Sequence, residues 1–277
     1  MSQTFSMNCR GRIHTFEKAI VMGIVNLTPD SFYVQSRATQ TSTIIKQVEG
    51  MLKDGASIID LGAQSTRPGA ELIADTDEAE RLLQSFKALR KEFPDTLFSI
   101  DTFHSMVADR ALSEGADIIN DVSAGSIDQN MMAVVAKHHA PFVMMHMKGT
   151  PQNMINQNDY QNLIADIITY FSNKLKKAKE AGLVDLIIDP GFGFAKNIQQ
   201  NFELLAGLEL LQALNKPMLV GLSRKSMIYK TLQITPQESL NGTTVLQTIA
   251  ILKGASILRV HDVKEAIETI RLVECMQ

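Results

Sequence analysis

Asn26, Asp60, Asp101, Asn120 with Asp121, His146, Asp189, the run Ser223-Arg224-Lys225-Ser226, and Arg259 with His261 share one property. Each stands at or near the end of a short apolar run. Two kinds of chemistry are written into the set. Arg224, Lys225, Arg259 and His261, joined by Arg67 in "STRPGA", are cations suited to phosphate oxygens, arginine in bidentate fashion. Asp101, Asn120 and Asp189 are of another kind. A buried carboxylate that accepts two parallel N–H bonds recognises an amidine-like edge, and asparagine both donates and accepts. These three suit a polar heterocycle better than a sugar or a simple acid. Two other readings stay open at this level. The aspartates could form an acid/base pair, and the cations could close a structural ring with Asp60, Asp101 and Asp189.

The elements that position these residues follow from periodicity. Apolar runs cover 19–26, 57–63, 97–102, 117–123, 141–147, 185–192, 217–223 and 256–262. Near-continuous apolar runs of this length are what parallel strands covered on both faces require. Amphipathic segments lie between them: Leu82, Leu83, Phe86, Leu89 and Phe93 share one helical face in 76–93, as do Leu163, Ile167, Phe171 and Leu175 in 158–182. Asp75-x-x-Glu78 and Asn158-x-x-Gln161 have the form of capping boxes. Gly55, Gly115, Gly182 and Gly254 stand where C-cap glycines belong.

Strand and helix alternating eight times predict an α/β protein built as a single (β/α)8 barrel over 19–277, with its last helix at 263–276. Residues 1–18 form an N-terminal extension, read as a small hairpin turning at "RGR". In this fold the active site lies at the C-terminal ends of the strands, where the polar residues fall, and the last two loops are a frequent phosphate site. The alternative is a doubly wound open sheet, but Asn26-Leu27-Thr28-Pro29 is no glycine-rich phosphate turn.

Other signals narrow the chemistry by exclusion. No G-x-x-x-x-G-K-[ST], H-E-x-x-H or G-x-S-x-G occurs, and "GFGFAK" lacks the third glycine of a dinucleotide motif. His138-His139 reads as a solvated helix surface and Met144, Met145 and Met147 as barrel packing, while His14 and His104 have no evident partner. The 277 residues carry a net charge of −3 with no basic block, which argues against nucleic acid. Cys9 and Cys275 sit at opposite ends without a C-x-x-C pair, so neither a disulfide framework nor a zinc site is expected. No run of 18 apolar residues suggests a membrane span and no apolar core near Met1 suggests a secretory signal, so a cytoplasmic protein is expected.

"MGIVNLTPDSF", "DLGAQSTRPGA", "SIDT", "IINDVSA", "MHMKGTP", "DPGFGFAK", "GLSRKSM" and "RVHDV" occur in this order at the strand ends, and together they resemble the dihydropteroate synthase family. The resemblance implies condensation of 6-hydroxymethyl-7,8-dihydropterin diphosphate with 4-aminobenzoate, releasing diphosphate, with sulfonamides as competitive analogues. It implies a pterin diphosphate site of Thr66, Asp101, Asn120, Asp189, Lys225, Arg259 and His261, with Asp101, Asp189, Lys225 and Arg259 central to catalysis. It implies an aminobenzoate site of Phe32, Thr66, Arg67, Pro68, Phe194 and Ser226, a Mg²⁺ contact at Asn26, and a homodimer formed through the late helices. Three departures stand out. Tyr33-Val34-Gln35-Ser36 replaces the family's Asp-Gly-Gly turn, Gln64 its glutamate, and Ala195 a glycine. Two other readings are a related pterin-binding barrel, such as the folate module of a corrinoid methyltransferase, and a paralogue without catalysis. The aminobenzoate-side "STRPGA" argues against the first, and the otherwise complete set of binding residues against the second.

Overall fold

The computed structural model describes residues 4–27, 34–64, 73–154 and 157–276, with backbone alone for 34–40. Phe32, Thr66, Arg67, Pro68 and Tyr33 lie outside the described residues. The chain opens with an antiparallel hairpin, β1 (Phe5–Cys9) and β2 (Arg12–Phe16). Its turn residues Arg10 and Gly11 both take positive φ (51° and 79°), as a tight two-residue turn matched to strand twist requires.

Eight parallel strands follow: β3 (Ile20–Asn26), β4 (Ile58–Gly62), β5 (Leu97–Asp101), β6 (Ile118–Asp121), β7 (Phe142–Met145), β8 (Leu186–Asp189), β9 (Leu219–Val220) and β10 (Ile257–Val260). Every apolar run of the sequence supplies one. Their order is β8-β7-β6-β5-β4-β3-β10-β9. A parallel bridge between Ile188 and Met218, with Ile188 N donating to Pro217 O at 3.0 Å, joins the two end strands and closes the barrel. The outer ring is α1 (Val34–Asp54), α2 (Asp75–Glu92), α3 (Ser105–Ser113), α4 (Met131–Lys137), α5 (Leu163–Glu180), α6 (Ile198–Ala206), α7 (Ser226–Leu232), α8 (Leu240–Leu252) and α9 (Val263–Glu274).

Period-two alternation sorts each strand. Outward residues such as Val21, Ile59, Phe98, Ile119, Phe142 and Ile188 join the large core beneath the helices. Inward residues of the lower layer, among them Met22, Ile58, Leu97, Ile118, Val143 and Ile257, form a second core. Phe5, Met7 and Cys9 of the hairpin belong to that second core, so the N-terminal extension plugs the barrel's lower mouth. Fully burying one such side chain contributes about 1.5–3 kcal/mol. Above that layer the inward positions turn polar, with Asp60, Ser99, Asn120, Asp189 and Arg259, and with Asp101 one further inward position along β5. The floor of the barrel is thus apolar and sealed, and the C-terminal rim is charged.

Several local expectations are corrected. α2 has Ala74 as N-cap with no side-chain cap; Asp75 Oδ1 instead accepts from Thr76 N at 2.7 Å. Glu78 turns inward to His104 Nδ1 at 2.6 Å, which gives that histidine a partner. α5 is capped four residues after the proposed position, by Asn162, which accepts from Ala165 N. A reciprocal capping box does occur, between Asn197 and Gln200 at α6. His138 is half-buried and bonds Asp109 through Nε2 at 2.7 Å, so it is not simply solvated. The four proposed C-cap glycines all take positive φ, and Met144, Met145 and Met147 are buried packing.

Candidate active site

Arg259, on β10, is the centre of the rim. Its Nε donates to Asp60 Oδ2 and its Nη2 to Asp101 Oδ2, both at 2.7 Å. Asn120 Nδ2 donates to Asp60 Oδ2 at 3.1 Å. Asn26, Gly62, Asp101 and Asn120 are successive register partners across β3 to β6, so Asn26 and Asp101 share one rung. A Cβ at Gly62 would lie 3.4 Å from Asp101 Cβ; glycine keeps the rung open there. Burial pushes the Asp101 carboxyl up, Arg259 opposes this, and Asp60 and Glu78 add to the rise. Burial alone would lower Arg259, but Asp60 and Asp101 hold it above its ordinary value. Both readings of these cations left open by the sequence therefore meet in one residue, because Arg259 does pair with Asp60 and Asp101. Its Nη1 remains uncommitted among the described residues.

A second group faces this one from β8 and α7. Asp189 Oδ1 accepts from Gly191 N at 2.8 Å, which leaves Oδ2 for a ligand. Burial raises its pKa, and Lys225 is the chief opposing charge. Lys225, the N-cap of α7, donates to Phe192 O and stands 5.1 Å from the centroid of the Phe194 ring. Burial lowers it to about 8 despite Asp189. A side chain at Gly193 would press on the lysine stem, with its Cβ 3.3 Å from Lys225 Cδ. Ser226 is the first residue of α7. His261 is exposed, and its backbone N and Nδ1 lie 3.3 and 3.2 Å from Ser223 Oγ.

Three rim residues of the sequence stand apart. Arg224 is bound by Asp262 through two bonds of 2.9 and 2.8 Å and donates to the carbonyls of Pro236 and Gln237, so it braces a loop. Asp121 lies on the outward side of β6, where its carboxylate accepts from Ser123 N and Gly125 N at 2.7 Å each. His146 is buried against Lys196 Nζ at 3.0 Å. Lys196 is a rim residue outside the sequence candidates, although a lysine three residues past Gly193 is a visible signal. Ser99, a small polar residue on the apolar strand β5, carries no such signal. Gln64 accepts from Ile73 N at 2.9 Å, an acceptor role that glutamine fills as glutamate would.

Comparison with known proteins settles the family. The model of the pterin-binding enzyme family matches residues 22–261. The dihydropteroate synthase of Synechocystis sp. is 43% identical over 263 residues, covering 94% of this chain and 91% of that protein. The chain belongs to the dihydropteroate synthase family. Solved family members superpose closely. The Yersinia pestis dihydropteroate synthase, determined with a sulfonamide drug, has a TM-score of 0.91 at 36% identity, covering 98% of this chain and 99% of that one. The Xanthomonas albilineans dihydropteroate synthase, determined with 4-aminobenzoic acid, has a TM-score of 0.90 at 33% identity and covers 99% of each chain. The chain is a transferase of folate biosynthesis. It joins 6-hydroxymethyl-7,8-dihydropterin diphosphate to 4-aminobenzoate, giving 7,8-dihydropteroate and diphosphate. Among the described residues, no helix is long and apolar enough to cross a membrane.

Proposed function

We propose that the condensation takes place at the C-terminal rim, with Asp101, Asn120, Asp189 and Lys225 holding the pterin and Arg259 and His261 facing the diphosphate. The observation that carries this reading is the open valence of the rim. Among the described residues, Asp60 Oδ1, Asp101 Oδ1 and Ser99 Oγ are buried without a partner, beside an arginine with N–H groups to spare. Buried polar atoms of this kind are costly unless a ligand or water completes them. Asp189 Oδ2 suits the aminopyrimidine edge of the pterin. The aromatic amine of aminobenzoate is already a nucleophile, so the rim needs no activated serine or cysteine. Its task is electrostatic. Arg259 stabilises charge that grows on the departing diphosphate, and the carboxylates of Asp101 and Asp189 stabilise positive charge that grows on the pterin methylene. Thr66, Arg67, Pro68, Phe32, Phe194 and Ser226 frame the aminobenzoate.

The residues present suit Mg²⁺ held mainly by substrate. Asn26 offers a neutral amide oxygen at the exposed end of β3, in the rung of Asp101. Among the described residues, no group of three His, Cys, Asp or Glu could hold a metal. Mg²⁺ keeps several waters and binds substrate phosphates with few protein ligands, so Asn26 together with the diphosphate would hold it. When bound, it neutralises leaving-group charge. Localisation in the cytoplasm and homodimer formation belong to the same reading. Val245, Ile249 and Leu252 form a stripe on α8, with Val245 and Leu252 each 50% exposed, and on α7 Leu232 is 53% exposed. A second copy of the chain covers that face; sedimentation should give a dimer, and Val245→Glu a monomer.

The site assignment is tested with Asp189→Asn. Calorimetric titration with pterin diphosphate should lose its binding signal while urea unfolding stays cooperative. Retained binding would remove Asp189 from the pterin site, and loss of folding would make it a structural residue.

A further inference from the structure

The segment between β8 and α6 carries Phe194 and follows Asp189 directly, yet it contains no regular structure. Side chains hold it. Lys196 Nζ reaches Gly191 O at 3.0 Å, Phe194 O at 3.1 Å and His146 Nδ1 at 3.0 Å. Three acceptors match the three N–H groups of an ammonium ion, so nothing of Lys196 is left for a substrate. From outside, Asn201 of α6 accepts from Gly193 N at 2.6 Å and donates to the carbonyls of Lys196 and Asn197 at 3.2 and 2.7 Å. Tyr160 donates to Ala195 O at 2.9 Å, and Lys225 to Phe192 O. Every carbonyl from Gly191 to Lys196 except that of Gly193 therefore meets a side-chain donor.

The bracket also fixes the segment against β7. Gly191 takes φ +72°, and a Cβ there would sit 2.1 Å from the backbone oxygen of His146. The His146 ring is buried edge-on to Tyr170, with centroids 4.8 Å apart, and Tyr170 donates to Met145 O at 3.1 Å. Burial, with Lys196 and Lys148 nearby, holds the imidazole far below its ordinary range, at about 2, so it serves as a neutral acceptor. With Nδ1 accepting from Lys196, its remaining proton lies on Nε2. Lys196 itself is lowered to about 7 by burial, against the pull of Asp189.

We propose that Lys196, seated on His146, is a positioning residue that presets the segment between β8 and α6 so that Phe194 is placed for 4-aminobenzoate. The proposal rests on the assignment of Phe194 to the aminobenzoate site. Asp189 is the last residue of strand β8 and is paired to β7, its carbonyl accepting from His146 N at 2.8 Å, so the pterin side is less dependent on the bracket.

The experiment measures KM for each substrate separately, with kcat and thermal melts, in Lys196→Met, His146→Asn, His146→Leu and Phe194→Ala. Lys196→Met should raise KM for 4-aminobenzoate about ten- to a hundredfold and KM for pterin diphosphate much less, as expected when a supporting contact is lost. Asparagine places Oδ1 two bonds from Cβ, as histidine places Nδ1, so His146→Asn keeps the acceptor and should stay near wild type. His146→Leu lacks the acceptor and should follow Lys196→Met; this pair carries the test if Lys196→Met does not fold. A merely structural bracket would lower melting temperatures without separating the two His146 variants in KM. If Phe194→Ala raises KM for aminobenzoate while Lys196→Met and His146→Leu leave it at wild type, the proposal is wrong and the Phe194 assignment stands. If Phe194→Ala leaves that KM unchanged, the assignment fails and the proposal falls with it.

Discussion

The two ends of this barrel each hold an arginine against buried aspartate, and they finish the arrangement differently. At the lower end, Asp117 is fully covered, and both its oxygens are filled. Oδ1 takes Arg10 Nε at 2.6 Å, and Oδ2 takes Arg90 Nη2 at 2.5 Å and Phe98 N at 2.9 Å. Arg90 also donates to Pro94 O and Thr96 O at 3.0 and 2.8 Å and lies 4.7 Å from the centroid of Phe98; its buried Nε is left without a partner. At the rim, Arg259 bridges Asp60 and Asp101 but leaves one oxygen of each unpartnered among the described residues, along with Ser99 Oγ. The lower cluster ties hairpin, α2 and strand together and is closed by its own backbone. The upper one is built from the same groups and left incomplete where substrate arrives. Between these two clusters a paired charge alone does not distinguish structure from function; what differs is the carboxylates, both oxygens filled on Asp117 and one left open on each of Asp60 and Asp101.

The same substitution at both ends should break that symmetry. Asp101→Asn should cost about a hundred- to thousandfold in kcat/KM, the range for removing a preorganised electrostatic group. It should not destabilise the fold at neutral pH, because burial raises the Asp101 carboxyl in the folded state. Between the unfolded carboxyl value, about 4, and that raised value, the folded chain binds more protons than the unfolded one, so wild-type stability falls as pH rises through this window. Asparagine removes that loss, and urea midpoints for the variant should gain on wild type from acid to neutral pH. Asp117→Asn should do the reverse, with about 3 kcal/mol of stability lost, since one buried partner is removed from two arginines, and kcat per folded molecule retained. Lost activity without lost stability at Asp117 would erase the distinction between the ends.

A smaller effect sharpens the upper end alone. Lys225 is lowered to about 8 chiefly by burial, so its charge fades on the alkaline side. kcat/KM for pterin diphosphate should fall above pH of about 8. Lys225→Arg should be slower at every pH, since a planar fork does not replace a compact ammonium, but should lose that limb because guanidinium stays charged. A limb that persists in the variant belongs to another group.

How much of this was legible in the sequence depends on how local the cause is. All eight strands could be read, because parallel strands covered on both faces need unbroken apolar runs, and the charged ends of those runs marked the rim. Asp101, Asn120, Asp189, Lys225 and Arg259 were found for that reason. Arg224 was misread because its partner, Asp262, lies 38 residues on and is brought near only by barrel closure. Asp121 was misread because one position along a strand turns a side chain from the interior to the helices. Asp75-x-x-Glu78 had the spacing of a cap, yet Glu78 found a tertiary partner in His104, which outweighed the local motif. Lys196 stood in a motif dismissed as a failed nucleotide loop, since nothing local says that its ammonium turns back onto its own segment.

The smallest test concerns the plug at the lower end. Gly11 takes φ +79° at the hairpin turn, and a Cβ there would meet nothing within 4 Å. Any cost of Gly11→Ala is therefore backbone strain rather than collision, about 1 kcal/mol for a left-handed position. In a chain of this size that corresponds to a fall in melting temperature of about 2–4 °C. The hairpin reaches the rest of the molecule through Phe5, Met7 and Cys9 in the lower core and through Arg10 on Asp117, all on the far side of the apolar floor from Arg259. KM for both substrates should accordingly stay at wild type while the melt shifts. A change in either KM would mean that strain at the plug reaches the rim through the inward layer from Met22 to Ile257, and that the two ends are coupled parts of one site.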